Sequence, residues 1–278
     1  MKLTTIPTGF FKLDGGAMFG IVPKKLWEKL NPPDENNMCT WALRTLLIET
    51  GNRKILIDTG IGSKQDAKFR AHFSPTENIL LPSLLENGVH PEEITDVILT
   101  HLHFDHVGGA IDPSGITFPN ATYWSNKLHW DWATNPNEKE KASFLSENFL
   151  PLKAANQLKF IDVEQDVKFA DGIRIHFTYG HTEAMMLPII ETGKDTLVFC
   201  ADTLPASYYI PMPYILAYDV RPLTTLEEKS WLLNEAASKN WNLFFEHDPI
   251  CEAATVMANE RGKIVPAEYK KISELFQQ

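Results

Sequence analysis

Between Thr100 and His106 the chain reads Thr-His-Leu-His-Phe-Asp-His, which sets three imidazoles and a carboxylate within six positions. His101 and His103 stand two apart, so in extended chain both side chains leave one face and can grip one metal ion. A tight change of direction after them lets Asp105 and His106 address a second position. Gly108 and Gly109 follow at once, as expected where backbone passes close to a crowded site. Imidazoles packed this closely repel one another once protonated. A bound cation therefore accounts for the cluster better than core packing does.

The elements that must position these groups are readable. Ile94 to Thr100 is a β-branched, apolar run, suited to a strand buried in a sheet that helices cover. The histidines thus fall where a strand gives way to a loop, the place where open α/β sheets put ligand sites. Three later strand-like runs also end on a candidate donor. Residues 173–179 lead into Gly180 and His181, residues 196–201 into Asp202, and residues 242–246 into His247. One donor after each of three separate strands is hard to explain as packing.

In this pattern the chain resembles the metallo-β-lactamase fold superfamily of hydrolases. The superfamily's H-x-H-x-D-H motif matches His101, His103, Asp105 and His106, and its later His, Asp and His match His181, Asp202 and His247 in the same order. Its early Asp-Thr-Gly turn is Asp58-Thr59-Gly60, directly after the run Ile55-Leu56-Ile57. The resemblance covers roughly Lys2 to Lys263. Within the superfamily, His-Leu-His-Phe-Asp-His-x-Gly-Gly looks most like the quorum-quenching N-acyl-homoserine lactonases and the related methyl-parathion-hydrolase-like enzymes.

The resemblance implies a four-layer αββα sandwich of α/β (α+β) class, with residues 1–278 as a single hydrolase domain. It places His101, His103 and His181 on one metal ion, and Asp105, His106 and His247 on another, with Asp202 bridging. Two divalent ions per chain follow, zinc first, since nitrogen-rich ligation suits it; manganese, iron or cobalt fit the same donors. The implied reaction is opening of a lactone or other ester by a metal-bridging hydroxide. Asp105 would hand a proton to the leaving alkoxide, and Asp58 would orient a ligand from behind. Organophosphate or phosphoester hydrolysis, and β-lactam or thioester hydrolysis, are the alternatives on the same donors. The homoserine lactonases also use a tyrosine shortly after the bridging aspartate. Here Pro205 stands in that place, with Tyr208 and Tyr209 as the nearby substitutes.

Composition narrows the setting. A net charge of −10 argues against nucleic acid as a partner, since a polyanion would be repelled. Apolar runs stay short, so no membrane span is expected, and no signal-peptide core follows Met1. Three cysteines, Cys39, Cys200 and Cys251, are sparse and odd in number. They suit a reducing cytoplasm. Cys200 reads as a small buried thiol.

Two segments read as walls for a small substrate with an apolar part. One is the glycine-rich stretch Leu13 to Val22, with Phe19 at its centre, which reads as a lid over a hydrophobic substrate or as a surface turn tucked onto the core; the other is the aromatic, proline-rich stretch Ser207 to Tyr214. Phe104, set between two ligands, is the third wall. Exposed apolar surface of this kind also suits a homodimer contact. Strand pairs are expected near 40–50 and 53–58, helices over 78–87 and 127–148, and strands near 96–100, 121–125, 160–163, 174–178, 186–191 and 196–201. Thr225 with Glu228 reads as a capping box opening a helix through Ser238. Residues 242–246 are the last well-marked strand.

Overall fold

The protein is described by a computed structural model that covers residues 1–164 and 166–275. The described chain divides into two compact units, Met1–Phe11 with Ala42–Val163, and Lys12–Trp41 with the described residues between 164 and 275. No helix among the described residues is long and apolar enough to cross a membrane.

The first unit is built on a six-stranded sheet. Its strands are β1 (Lys2–Asp14), β2 (Met38–Thr50), β3 (Arg53–Ile57), β4 (Asp96–Ile98), β5 (Thr122–Asn126) and β6 (Leu158–Ile161), side by side in chain order. Strands β2 and β3 form an antiparallel hairpin with Leu46 opposite Ile57, whereas β3 to β6 run parallel. All three residues of β4 are buried, the signature of a central parallel strand. Ile6, Leu47, Leu56, Val97 and Leu99 make the core with Leu80 and Leu84 of the helix Leu80–Glu86. Each such side chain removed from water contributes roughly 1.5–3 kcal/mol.

The helix expected over 127–148 is shorter. It runs Lys127–Thr134, opened by the Asn126 side chain accepting from the His129 N–H at 2.8 Å. It stops because Asn135 precedes Pro136, and a residue before proline is pushed out of helical backbone. Only one 3₁₀ turn, Ser146–Asn148, follows before residue 149.

The second unit carries a seven-stranded sheet, β7 (Asp166–Ala170), β8 (Ile173–Thr178), β9 (Met185–Glu191), β10 (Thr196–Phe199), β11 (Asn242–Phe244), β12 (Ala253–Ala258) and β13 (Ile264–Lys270), again neighbours in chain order. All pairs are antiparallel except β10 with β11. Strand β11 is therefore not the last one. Strand β13 carries Pro, Glu and Lys on partly exposed faces, and β12 is buried over its first four residues and exposed over its last two, so neither alternates in the sequence.

The capping box at Thr225 is not formed. The helix starts three residues earlier at Pro222, a favoured first helical residue. Glu228 turns outward from the helix and accepts from the Tyr179 and Gly180 N–H groups at 2.6 and 3.0 Å.

Leu13 to Val22 is a tucked turn in place of an open lid. The Asp14 carboxylate accepts from the Ala17 N–H at 2.9 Å and opens a single helical turn, Gly15–Phe19. Phe19 is wholly buried, stacked on Trp27 and Tyr209 with ring centroids 5.0 and 5.7 Å away. The Tyr209 hydroxyl donates to the Met18 carbonyl at 2.9 Å. Phe19 and Tyr209 are thus core residues of the second unit.

Candidate metal centre

In the first unit the donors sit just past β4. Thr100 ends the approach, His101 follows, and His103, in extended backbone, opens a four-residue helix, Phe104–Val107, that carries Asp105 and His106. His101 and His103 present ligand atoms within 4.8 Å of one another, as do Asp105 and His106. The ring of His101 lies 4.5 Å from that of His103 and 3.9 Å from that of His106, centroid to centroid. All four residues are buried.

Asp58 organises this half. It follows β3 in the left-handed region at φ 60°, which Asp adopts more readily than most residues. One carboxylate oxygen accepts the Thr100 N–H at 2.7 Å; the other accepts the Thr100 hydroxyl at 2.6 Å and faces His106 Nδ1 at 3.1 Å. With its proton given to Asp58, the Thr100 hydroxyl is left to accept from His101 Nδ1, 3.1 Å away. Both imidazoles are thereby turned to offer Nε2 as the ligand atom.

The Gly-Gly step has a steric cause. A side-chain carbon on Gly108 would strike the Ile61 carbonyl, and one on Gly109 would strike the Thr59 carbonyl. The motif's helix lies backbone to backbone on the Asp58 turn, and the Gly109 N–H donates to the Gly60 carbonyl at 3.0 Å.

Two residues of this half carry no signal in the sequence. His129 Nε2 accepts the Leu102 N–H at 2.8 Å, pinning the backbone between His101 and His103. Glu140 is buried with Oε1 at 3.4 Å from His103 Nε2.

In the second unit His181 follows β8. Glu228 holds the two N–H groups just before it, and Gly180 is required because a side chain there would meet Thr225. His181 Nδ1 is 3.0 Å from Asp219 Oδ1, and its Nε2 is 3.1 Å from Asp202 Oδ2. The other Asp202 oxygen lies 3.3 Å from His247 Nε2. One carboxylate thus addresses a separate imidazole with each oxygen. Burial alone would push the His181 pKa down, but Asp202 and Asp219 outweigh it and raise it to about 10. A cation is what this pocket of charge is built to receive.

His247 is held by its neighbours. Its N–H donates to the Pro205 carbonyl at 3.0 Å, and Asp248 accepts from the Ser207 N–H, Ile250 N–H and Cys251 N–H at 2.9, 2.9 and 2.7 Å. The segment beyond is fastened by Lys229, wholly buried, whose Nζ donates to the carbonyls of Pro211, Met212 and Tyr214 at 2.8, 3.2 and 2.7 Å. Burial lowers its pKa from 10.5 to about 7, against an upward pull from Asp219. Between those values the unfolded chain holds the extra proton, so stability from this residue rises with pH there; below about 7 the buried charge costs its full amount. Relative to Lys229→Met, the wild-type denaturation midpoint should therefore climb between pH 7 and 10. Parallel pH profiles would show that Lys229 does not titrate in this window.

Cys200 is buried, with Sγ against the Val198 carbonyl at 3.5 Å, and burial pushes its thiol pKa up. It stays a packing thiol. The remaining groups suit divalent metal: imidazoles held in one tautomer by carboxylates or a hydroxyl, with carboxylates among them.

A family model of the metallo-beta-lactamase superfamily matches residues 44–247. An N-acyl homoserine lactonase of Bacillus cereus is 28% identical over 222 residues, covering 74% of this chain and 76% of that protein. A solved probable metal-dependent hydrolase from Staphylococcus aureus is similar with a TM-score of 0.88 at 28% identity, over 96% of this chain and 95% of the other. The dizinc quorum-quenching lactonase AidC, solved in complex with a product, has a TM-score of 0.79 at 20% identity over 97% and 95% of the two chains, and supports the fold alone. The chain belongs to the metallo-beta-lactamase superfamily and is one of its metal-dependent hydrolases.

Proposed function

We propose that the two units act as one hydrolase domain holding two divalent ions, zinc first, and opening the lactone ring of an N-acyl-homoserine lactone or a similar ester. The observation that carries this reading is the donor pattern. His101, His103, Asp105 and His106 are gathered in one unit and His181, Asp202 and His247 in the other, with Asp202 turned to two imidazoles at once. The lactonase relative of Bacillus cereus supports the substrate class. Ions bound there would activate water and polarise the carbonyl.

The chain's own groups divide the remaining work. Asp105, whose carboxylate lies 3.9 Å from His106 Nε2, would take the proton lost by the attacking water and return it to the leaving oxygen. Of the two tyrosines past Asp202, Tyr209 is committed to Met18. The Tyr208 hydroxyl is buried with no hydrogen-bond partner among the described residues, and burial raises its pKa, so it remains a donor. It is the group that takes the place of the tyrosine missing at Pro205.

Phe104 supplies an apolar wall. Phe69 and Phe73 of the helix Ala67–Phe73 pack on its ring with centroids 5.1 and 4.7 Å away. An open surface depression of about 500 Å³ lies along that helix, lined by Asp66, Lys68, Phe69, Ala71, His72 and Phe73.

Gently purified protein should carry close to two equivalents of metal. Metal-loaded protein should turn over acyl-homoserine lactones ahead of a phosphotriester, a thioester or a penicillin. A consistent single equivalent would sink the two-ion reading, and preference for the phosphotriester would sink the lactone. Among lactones, each added acyl methylene should raise kcat/KM by up to about fourfold, the value of about 0.8 kcal/mol of burial. Phe69→Ala should flatten that slope without changing metal content; an unchanged slope would exclude this wall.

A further inference from the structure

We infer that the turn from Gly20 to Leu30 docks on the surface of an anionic lipid bilayer. Ile21, Leu26 and Leu30 enter the headgroup layer, and Lys24, Lys25 and Lys29 meet lipid phosphates. The inference stands apart from the metal reading, and its test uses no turnover.

Ile21 is 91% exposed, the most exposed large apolar side chain among the described residues. It has no freedom to tuck away, because the turn beneath it is fixed on both sides. Phe19 and Val22 are buried. Gly20, at φ 57°, lies against the Ile215 carbonyl, where a side-chain carbon would stand 2.9 Å from the oxygen. The Val22 N–H donates to the Phe19 carbonyl at 3.1 Å, and the Ala217 N–H donates to the Ala17 carbonyl at 2.9 Å. Ile21 is thus the tip of a rigid wedge.

Helical spacing arranges the other residues. The helix Lys24–Trp27 is followed by bonds of the same kind, with the Asn31 N–H donating to the Trp27 carbonyl at 3.2 Å. Trp27 faces inward, stacked on Phe19. Leu26 and Leu30, four apart and so on one face, are 56% and 37% exposed. Lys25 and Lys29, also four apart, make an exposed row beside them. Lys24 donates to the Asn37 side chain at 2.7 Å. Three exposed apolar side chains within ten residues are more than the scattered single ones of an ordinary surface. An apolar row with lysines alongside is the make-up of segments that lie in a membrane interface.

Charge selects the occupant. The chain carries a net charge of −10, yet residues 20–31 hold three lysines against one acid, Glu28. A twofold contact with a second copy would bring this basic patch onto itself. Nucleic acid would satisfy the lysines and leave the apolar side chains in water. An anionic bilayer satisfies both.

Flotation of the full chain with vesicles tests the inference. Vesicles of phosphatidylcholine mixed with phosphatidylglycerol should carry the protein at low salt, and added salt should weaken the binding. Pure phosphatidylcholine vesicles should bind it less. Ile21→Asp should lower affinity for the anionic vesicles by at least about tenfold, the loss from withdrawing one apolar side chain. Lys25→Glu should lower it about fivefold or more, the value of one lysine near an anionic surface. Ile21→Trp should bind more tightly, with its emission shifted to the blue on vesicles, a gain that misfolding does not produce. No binding to the anionic vesicles would overturn the inference, as would equal binding to both vesicle types or wild-type affinity in Ile21→Asp. A dimer in solution that Ile21→Asp dissolves, with no vesicle binding, would assign the surface to a second copy and overturn it too. If Ile21→Asp does not fold, Leu26→Asp takes its place, and wild-type affinity there would count equally against the inference.

Discussion

Asp202→Asn should lower kcat/KM by about a hundredfold or more, at the upper end of losses seen when a metal site's organisation is disturbed, while the fold survives. The carboxylate meets His181 with one oxygen at 3.1 Å and His247 with the other at 3.3 Å. An asparagine keeps one oxygen and replaces the other with an NH₂ group, which cannot coordinate a cation. It also removes the negative charge that lies between two expected positive ones. One ion should therefore be lost or loosened, so metal content and turnover should fall together. Near-normal turnover with full metal content would show that Asp202 does not bridge.

Asp58→Ala should cost about 3–5 kcal/mol of stability, the range for removing one partner of a buried charged network. The carboxylate is wholly buried and serves the Thr100 N–H, the Thr100 hydroxyl and His106 together. Alanine leaves all three without their acceptor, at a left-handed position that alanine also disfavours. Asp58→Asn is the informative partner. Asparagine tolerates that backbone and still accepts the Thr100 N–H, so the protein should fold, yet its NH₂ group faces His106 and zinc affinity should drop about 10–100-fold. Chemical denaturation reads the first effect and chelator competition the second. A stable Asp58→Ala protein would place the organising role elsewhere.

Why some of the site was legible and some was not follows from distance along the chain. His101, His103, Asp105 and His106 lie within one turn of chain, so their types and spacing carry the chemistry openly. Asp219 is 38 residues from the His181 it orients and sits in a loop with no strand or helix period around it. Glu140 lies in a stretch of Lys, Glu and Asn that reads as a solvated helix, and only the loop after Pro136 folds it inward. His129 looks like one polar residue of a short amphipathic helix, yet it is fully buried. Local patterns also misled where a distant group competed for them. Glu228 matches a capping box but is drawn to Tyr179 and Gly180, 49 and 48 residues away. Phe19 stands in a glycine-rich run that resembles a lid, and its burial depends on Tyr209, whose hydroxyl reaches back 191 residues to Met18.

The helix Ala67–Phe73 has no buried residue, although Phe69 and Phe73 rest on Phe104. Its side chains can be exchanged at little cost to stability, because substitutions away from a core seldom exceed about 0.5 kcal/mol. Across the Asp58 turn, in contrast, Gly108 and Gly109 admit no side chain at all. The unit thus keeps the donor motif on tightly packed backbone and the proposed substrate wall on a replaceable surface. A randomised library should be spent on positions 68, 69, 72 and 73, where new specificities can be reached by single steps without unfolding the catalyst.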